Sequence, residues 1–148
     1  MFRHTAFIAA AAHLLLGTAA LAQDAIATAD GESSGTRIEI TELSRGSGET
    51  VTLKFRLIAD SGVDTTPYTL MDSSDLRHVH LIDSAGKKKY LVITDSDGKC
   101  LCSSSLKQES IAGKFLNLWA RFPAPPAGVK EVSVVFPHFI PTDAPIGN

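Results

Sequence analysis

The chain is poor in cysteine, with two in 148 residues, at positions 100 and 102. That count excludes the disulfide framework that braces many small secreted scaffolds, so the core must hold by packing. A dominant charge is lacking too: 14 Lys and Arg face 16 Asp and Glu, scattered along the chain. Without a basic stripe to displace counterions from phosphates, no nucleic-acid partner is expected. Enzymatic signatures are missing, with no G-x-S-x-G elbow, no phosphate-binding glycine loop and no H-E-x-x-H pair. The chain is therefore not expected to be an enzyme, and no cofactor is implied. Past residue 22 no apolar run reaches the ~20 residues of a membrane span, and no sustained i, i+3, i+4, i+7 spacing marks an amphipathic helix.

What is present first is an address. Of the first 22 residues 16 are apolar, and Arg3 is the only charged one. Arg3, the apolar run 6–16 broken only by His13, and the small residues Ala20-Leu21-Ala22 together make a signal peptide with cleavage expected before Gln23. No cysteine follows the run, so a lipid anchor is not indicated. Its removal leaves 126 residues with 13 basic and 16 acidic side chains, the size of one domain. The expected location is the periplasm or the exterior, where disulfides can form.

Residues 23–35, rich in Ala, Asp, Gly, Ser and Thr, read as a flexible leader, and the domain is expected over 36–148. From Thr36 the apolar residues recur every second position. Ile38 and Ile40, then Val51, Leu53, Phe55 and Leu57, alternate with polar neighbours and predict two half-buried strands joined at Arg45-Gly46-Ser47-Gly48-Glu49. A short strand is expected at Tyr68–Met71, then two more at 78–82 and 88–93 around a Gly86 turn. Asp95-Ser96-Asp97-Gly98 marks a further turn leading to the cysteines. In the last third, Leu116, Leu118, Ala120 and Phe122 share one face of a strand, while Phe115, Asn117, Trp119 and Arg121 share the other. Val132, Val134 and Phe136 define one more strand, separated from it by the rigid loop Pro123-Ala124-Pro125-Pro126 and ended by Pro137 and Pro141. About seven short strands over some 110 residues predict an all-β, immunoglobulin-like antiparallel sandwich, with a small closed barrel as its competitor.

Cys100-Leu101-Cys102 is the most specific chemical feature. On an extended strand both sulfurs leave the same face, and the pair reads as a local disulfide, a pair of metal thiolates or free thiols. Two cysteines so close cannot join two sheets. His78 and His80 also share one side of a strand, and with Cys100 and Cys102 they would form a nitrogen–sulfur set suited to copper or zinc. The plainer reading is two surface histidines. Asp95-Ser96-Asp97-Gly98 resembles the start of a calcium loop but lacks the following acidic ligands, so a hairpin turn is expected there. Pro123-Ala124-Pro125-Pro126 matches P-x-x-P spacing, yet a stiff connection is the stronger reading. His138 is expected to cap the last strand.

Several segments carry a resemblance: Leu81-Ile82-Asp83 to Lys87-Lys88-Lys89-Tyr90-Leu91, Asp95 to Ser103 with its Cys-Leu-Cys, and Leu118-Trp119-Ala120-Arg121-Phe122-Pro123-Ala124-Pro125-Pro126, followed by Val132-Ser133-Val134 and Pro137-His138-Phe139. In this order they resemble secreted bacterial immunoglobulin-like, telokin-like sandwich domains of unassigned function, some fused to a peptidoglycan-binding OmpA-like domain. The resemblance spans roughly 36–146. It implies a sandwich and brings no catalytic residues. The expectation is an exported, non-enzymatic binding or interaction module of the bacterial cell envelope, whose partner is a protein or an envelope polymer. The alternatives are a periplasmic copper or other metal-binding protein using His78, His80, Cys100 and Cys102, and a thiol–disulfide redox protein using the two cysteines.

Overall fold

The computed structural model describes residues 23–148, and the expected signal peptide lies outside the described residues. Eight strands and one short helix follow in the order β1 (Ala27–Asp30), β2 (Thr36–Gly46), β3 (Thr50–Ala59), α1 (Pro67–Met71), β4 (His80–Asp83), β5 (Lys88–Leu91), β6 (Lys114–Pro123), β7 (Glu131–Val135) and β8 (Thr142–Pro145). They form two antiparallel four-stranded sheets, β1-β2-β3-β6 and β5-β4-β7-β8, so the chain is an all-β sandwich. No helix among the described residues is long and apolar enough to cross a membrane.

The period-two pattern sets the long strands. Ile38 and Ile40 on β2 and Val51, Leu53, Phe55, Leu57 and Ala59 on β3 all bury their side chains. The next apolar residue of β2 is Leu43, one position out of phase, and a register shift between Ile40 and Glu42 absorbs the extra residue. This bulge at Thr41 returns Leu43 to the core, and the Thr41 hydroxyl donates to the Lys54 carbonyl at 3.2 Å. On β6, Leu118, Ala120 and Phe122 face inward. Between the sheets Phe55 meets Phe136 edge-on, with ring centroids 4.9 Å apart. Each such fully buried side chain contributes about 1.5 to 3 kcal/mol relative to exposure. The proline loop after β6 is held from β2, where the Arg45 guanidinium donates to the carbonyls of Pro125, Pro126 and Val129 at 2.7 to 3.0 Å.

Four expectations need correction. The segment expected as a leader supplies β1, which pairs with β2 from Ala27↔Ile40 to Asp30↔Arg37. Only Ala29 in it is buried, so backbone pairing to an edge, and not apolar patterning, places this strand. The expected strand at Tyr68–Met71 is the single-turn helix α1. Thr66 caps it by accepting from the Thr69 amide at 3.1 Å, Pro67 opens it, and Asp72 closes it with a left-handed φ of 52°. Pro137 and Pro141 interrupt the chain, but it resumes as β8 beside β7, where Pro145 sits on an edge strand that can spare its amide.

His138 stands in the β7–β8 connection at a φ of 60° and does not cap a strand. Its ring lies 2.9 Å from Asp72 after α1 and 3.6 Å from Glu32 in the β1–β2 turn. Nearby, the Ile140 amide donates to the Asp30 carbonyl at 2.9 Å, so this side of the sandwich is stitched between β1 and the β8 approach.

Candidate functional site

Among the described residues the structure does not gather His78, His80, Cys100 and Cys102 into one ligand set. His78 is exposed ahead of β4, and His80, the first residue of β4, turns a ring nitrogen to the His78 carbonyl at 3.2 Å. Burial pushes the His80 imidazole below its ordinary value, with Lys89 adding to the effect and the His78 contact opposing it. Cys100 and Cys102 are bonded to each other, with Cα atoms 5.2 Å apart, inside the distance a disulfide accepts. Among the described residues no group of three or more His, Cys, Asp or Glu side chains is gathered as metal ligands.

The cysteine pair occupies a segment that runs along the open side of β6. The Asp95 carboxylate shapes the turn before it by accepting from the Asp97 and Lys99 amides, each at 2.9 Å, and Gly98 takes the positive φ of 77°. The chain then lies against β6. The Ile93 amide donates to the Arg121 carbonyl, the Arg121 amide to the Leu101 carbonyl, and the Ser103 amide to the Trp119 carbonyl, all at 2.8 to 3.0 Å. From below, the Leu76 amide donates to Cys102 Sγ at 3.4 Å. The loop carrying Leu76 is fixed by Asp75, whose carboxylate accepts from the Arg77 guanidinium at 2.6 to 3.1 Å and from the Arg77 amide. The Arg77 hydrogen bonds hold the Asp75 carboxyl down at about 2. The disulfide thus belongs to a cover that seals part of the sheet edge.

The outward face of β6 is the unusual surface. Phe115 is 57% exposed and Trp119 40%, in the strand phase that also carries Asn117 and Arg121. Register places Ile58, Arg56, Lys54 and Thr52 of β3 opposite these four. This half of the sheet therefore combines two aromatic rings with three cations and no carboxylate. The acids lie farther across, where Glu39 pairs with Arg56 at 2.9 Å and Glu42 with Lys54 at 2.7 Å. Gln23 lies over the same face, its side-chain amide donating to the Thr41 carbonyl at 3.2 Å and its own carbonyl accepting from Arg56 at 3.0 Å. A hollow of about 290 Å³ lies between Gln23, Lys54, Asn117 and Trp119.

Alternation assigns Phe115 and Trp119 to the face opposite the core residues, but not the extent to which they stay exposed there. The signal was their presence in a phase that is otherwise polar. Compared with protein-family models, curated proteins and solved structures, the chain matches none.

Proposed function

We propose that this chain is an exported, non-enzymatic binding module of the cell envelope that contacts its partner through the outer face of the β1-β2-β3-β6 sheet. One observation carries the reading: Phe115 and Trp119 are held in the open on a rigid strand whose opposite face is core. Exposed aromatic residues on a stiff scaffold supply contact area with little ordering cost, and tryptophan is prominent among residues that dominate binding energies. The cations beside them suit a partner that offers acceptors. Export follows from the signal-peptide reading, and the resemblance to telokin-like envelope domains points the same way.

Retention on bacterial envelope fragments tests this. The Phe115→Ala, Trp119→Ala double variant should be retained at least tenfold less than the unaltered chain while unfolding at nearly the same temperature, because both side chains point outward. Equal retention refutes the assignment of this face.

A further inference from the structure

The cover over β6 is incomplete, and we propose that the uncovered stretch, Phe115 to Asn117, takes up an extended polypeptide segment as an added strand. The inference rests on the binding-module reading and names its partner as a peptide backbone. In the antiparallel pairing with β3, alternate residues of β6 direct their backbone groups toward β3 or away from it. Trp119 and Arg121 belong to the outward set: the Trp119 amide and carbonyl both meet Ser103, the Arg121 amide donates to the Leu101 carbonyl and the Arg121 carbonyl accepts from the Ile93 amide. Phe115 and Asn117 are in the same phase. By that alternation their amides and carbonyls also turn away from β3, and among the described residues no turn or loop bonds to them. Two donors and two acceptors thus stand at the ~7 Å repeat of every second strand residue, the pattern an incoming strand completes.

The surroundings favour a narrow extended segment over another molecule. Beneath the window lies a cleft of about 340 Å³ lined by Pro67, Leu106, Ile111 and Leu116. Above it stand Phe115 and Trp119. An added strand would send the side chain opposite Leu116 into the cleft and its two neighbours toward the aromatic face, so the fitting segment carries an apolar residue between two that pack on rings. The cleft rim carries Lys107 and Lys114 against the single carboxylate of Glu109, which pairs with Lys107 at 3.9 Å, and this excess of cation favours an acidic residue next to the buried one. The window is closed at one end by the Leu101–Ser103 cover and at the other by the turn in which the Lys114 amide donates to the Ile111 carbonyl at 2.9 Å. A second copy pairing edge to edge would bring its own cover into the first.

Amide exchange followed by NMR reads the window directly, with peptides selected from a random twelve-residue displayed library as the probe. In the free protein the Phe115 and Asn117 amides should exchange at least a hundredfold faster than those of Leu116 and Leu118. Bound peptides should slow both, and N-methylation of alternate peptide residues should weaken binding at least tenfold. Slow exchange at Phe115 and Asn117 in the free protein overturns the proposal, as does concentration-dependent dimerisation that protects them. Peptides that bind yet leave both amides unprotected overturn strand addition while leaving the face itself in use. So does a library that yields no binder when Trp119→Ala still abolishes envelope retention, which points to a polymer without a peptide backbone. Loss of that retention effect as well ends the binding-face reading.

Discussion

Asp75 offers the sharpest test of how the cover is anchored. Its side chain is 9% exposed and its carboxyl is lowered from the usual 3.8 to about 2, chiefly by the Arg77 hydrogen bonds. A fall of that size corresponds to about 2.5 kcal/mol of linkage between ionisation and folding. Arg77 is 56% exposed, so solvent screens part of the attraction and about 1 to 2 kcal/mol should remain. The sign follows from the direction. The folded carboxyl holds its proton less tightly than the unfolded one, so the stabilisation is present above pH 4 and fades as the pH falls toward 2. Asp75→Asn keeps the shape and removes the charge. Urea unfolding followed by far-UV circular dichroism should show the variant less stable by about 1 to 2 kcal/mol at pH 7, with most of the gap gone at pH 2. A gap of the same size at both pH values, or none at pH 7, refutes the assignment of the charge pair as the anchor.

Two further outcomes follow from the same geometry. The Asp72 hydrogen bond, with Asp72 and Glu32 charges assisting, raises the His138 imidazole above its ordinary value, so its stabilisation is full below pH ~6.5 and is lost as pH rises past the folded-state value. His138→Gln should therefore reduce the unfolding free energy from urea titration more at pH 5.5 than at pH 8.5, by a difference of about 0.5 kcal/mol given the exposure of the pair; equal losses at both pH values count against it. The Cys100→Ser, Cys102→Ser double variant should lose less than about 2 kcal/mol, because the bond closes a minimal loop and leaves the unfolded chain almost as free as before. Loss of folding in that variant, seen by circular dichroism, would mean that the bond braces the whole domain.

How much of this could be read from the residues depends on what holds each part. Strands β2, β3 and β6 were legible because one face of each is core and the alternation of Ile38, Val51, Leu53 and Leu118 states it. The strands β1 and β8 were not, because each buries a single alanine, Ala29 or Ala144, and is placed by backbone pairing to a neighbour. Helix α1 carried its signal in Thr66-Pro67, a cap followed by a helix-opening proline, and was obscured by the strand-like segment Tyr68-Thr69-Leu70-Met71. In the candidate site, the cysteine spacing indicated a local bond, and the structure places it in the cover over β6. The proximity of that cover to Trp119 is a tertiary fact, created by the return of the chain from the other sheet.

The bulge at Thr41 divides β2 into two reading frames. Before it, even-numbered positions are core and odd ones face out; after it, Leu43 is buried and the parity is reversed. Straightening β2 through position 41 with every residue kept would therefore send Glu42 inward and Leu43 outward, and would turn every later position to the other face without altering a side chain. Deleting Thr41 has the opposite effect: it removes the extra residue and leaves Leu43 in the core. In this strand the extra residue, and not the identity of its side chain, is what keeps the second half in phase.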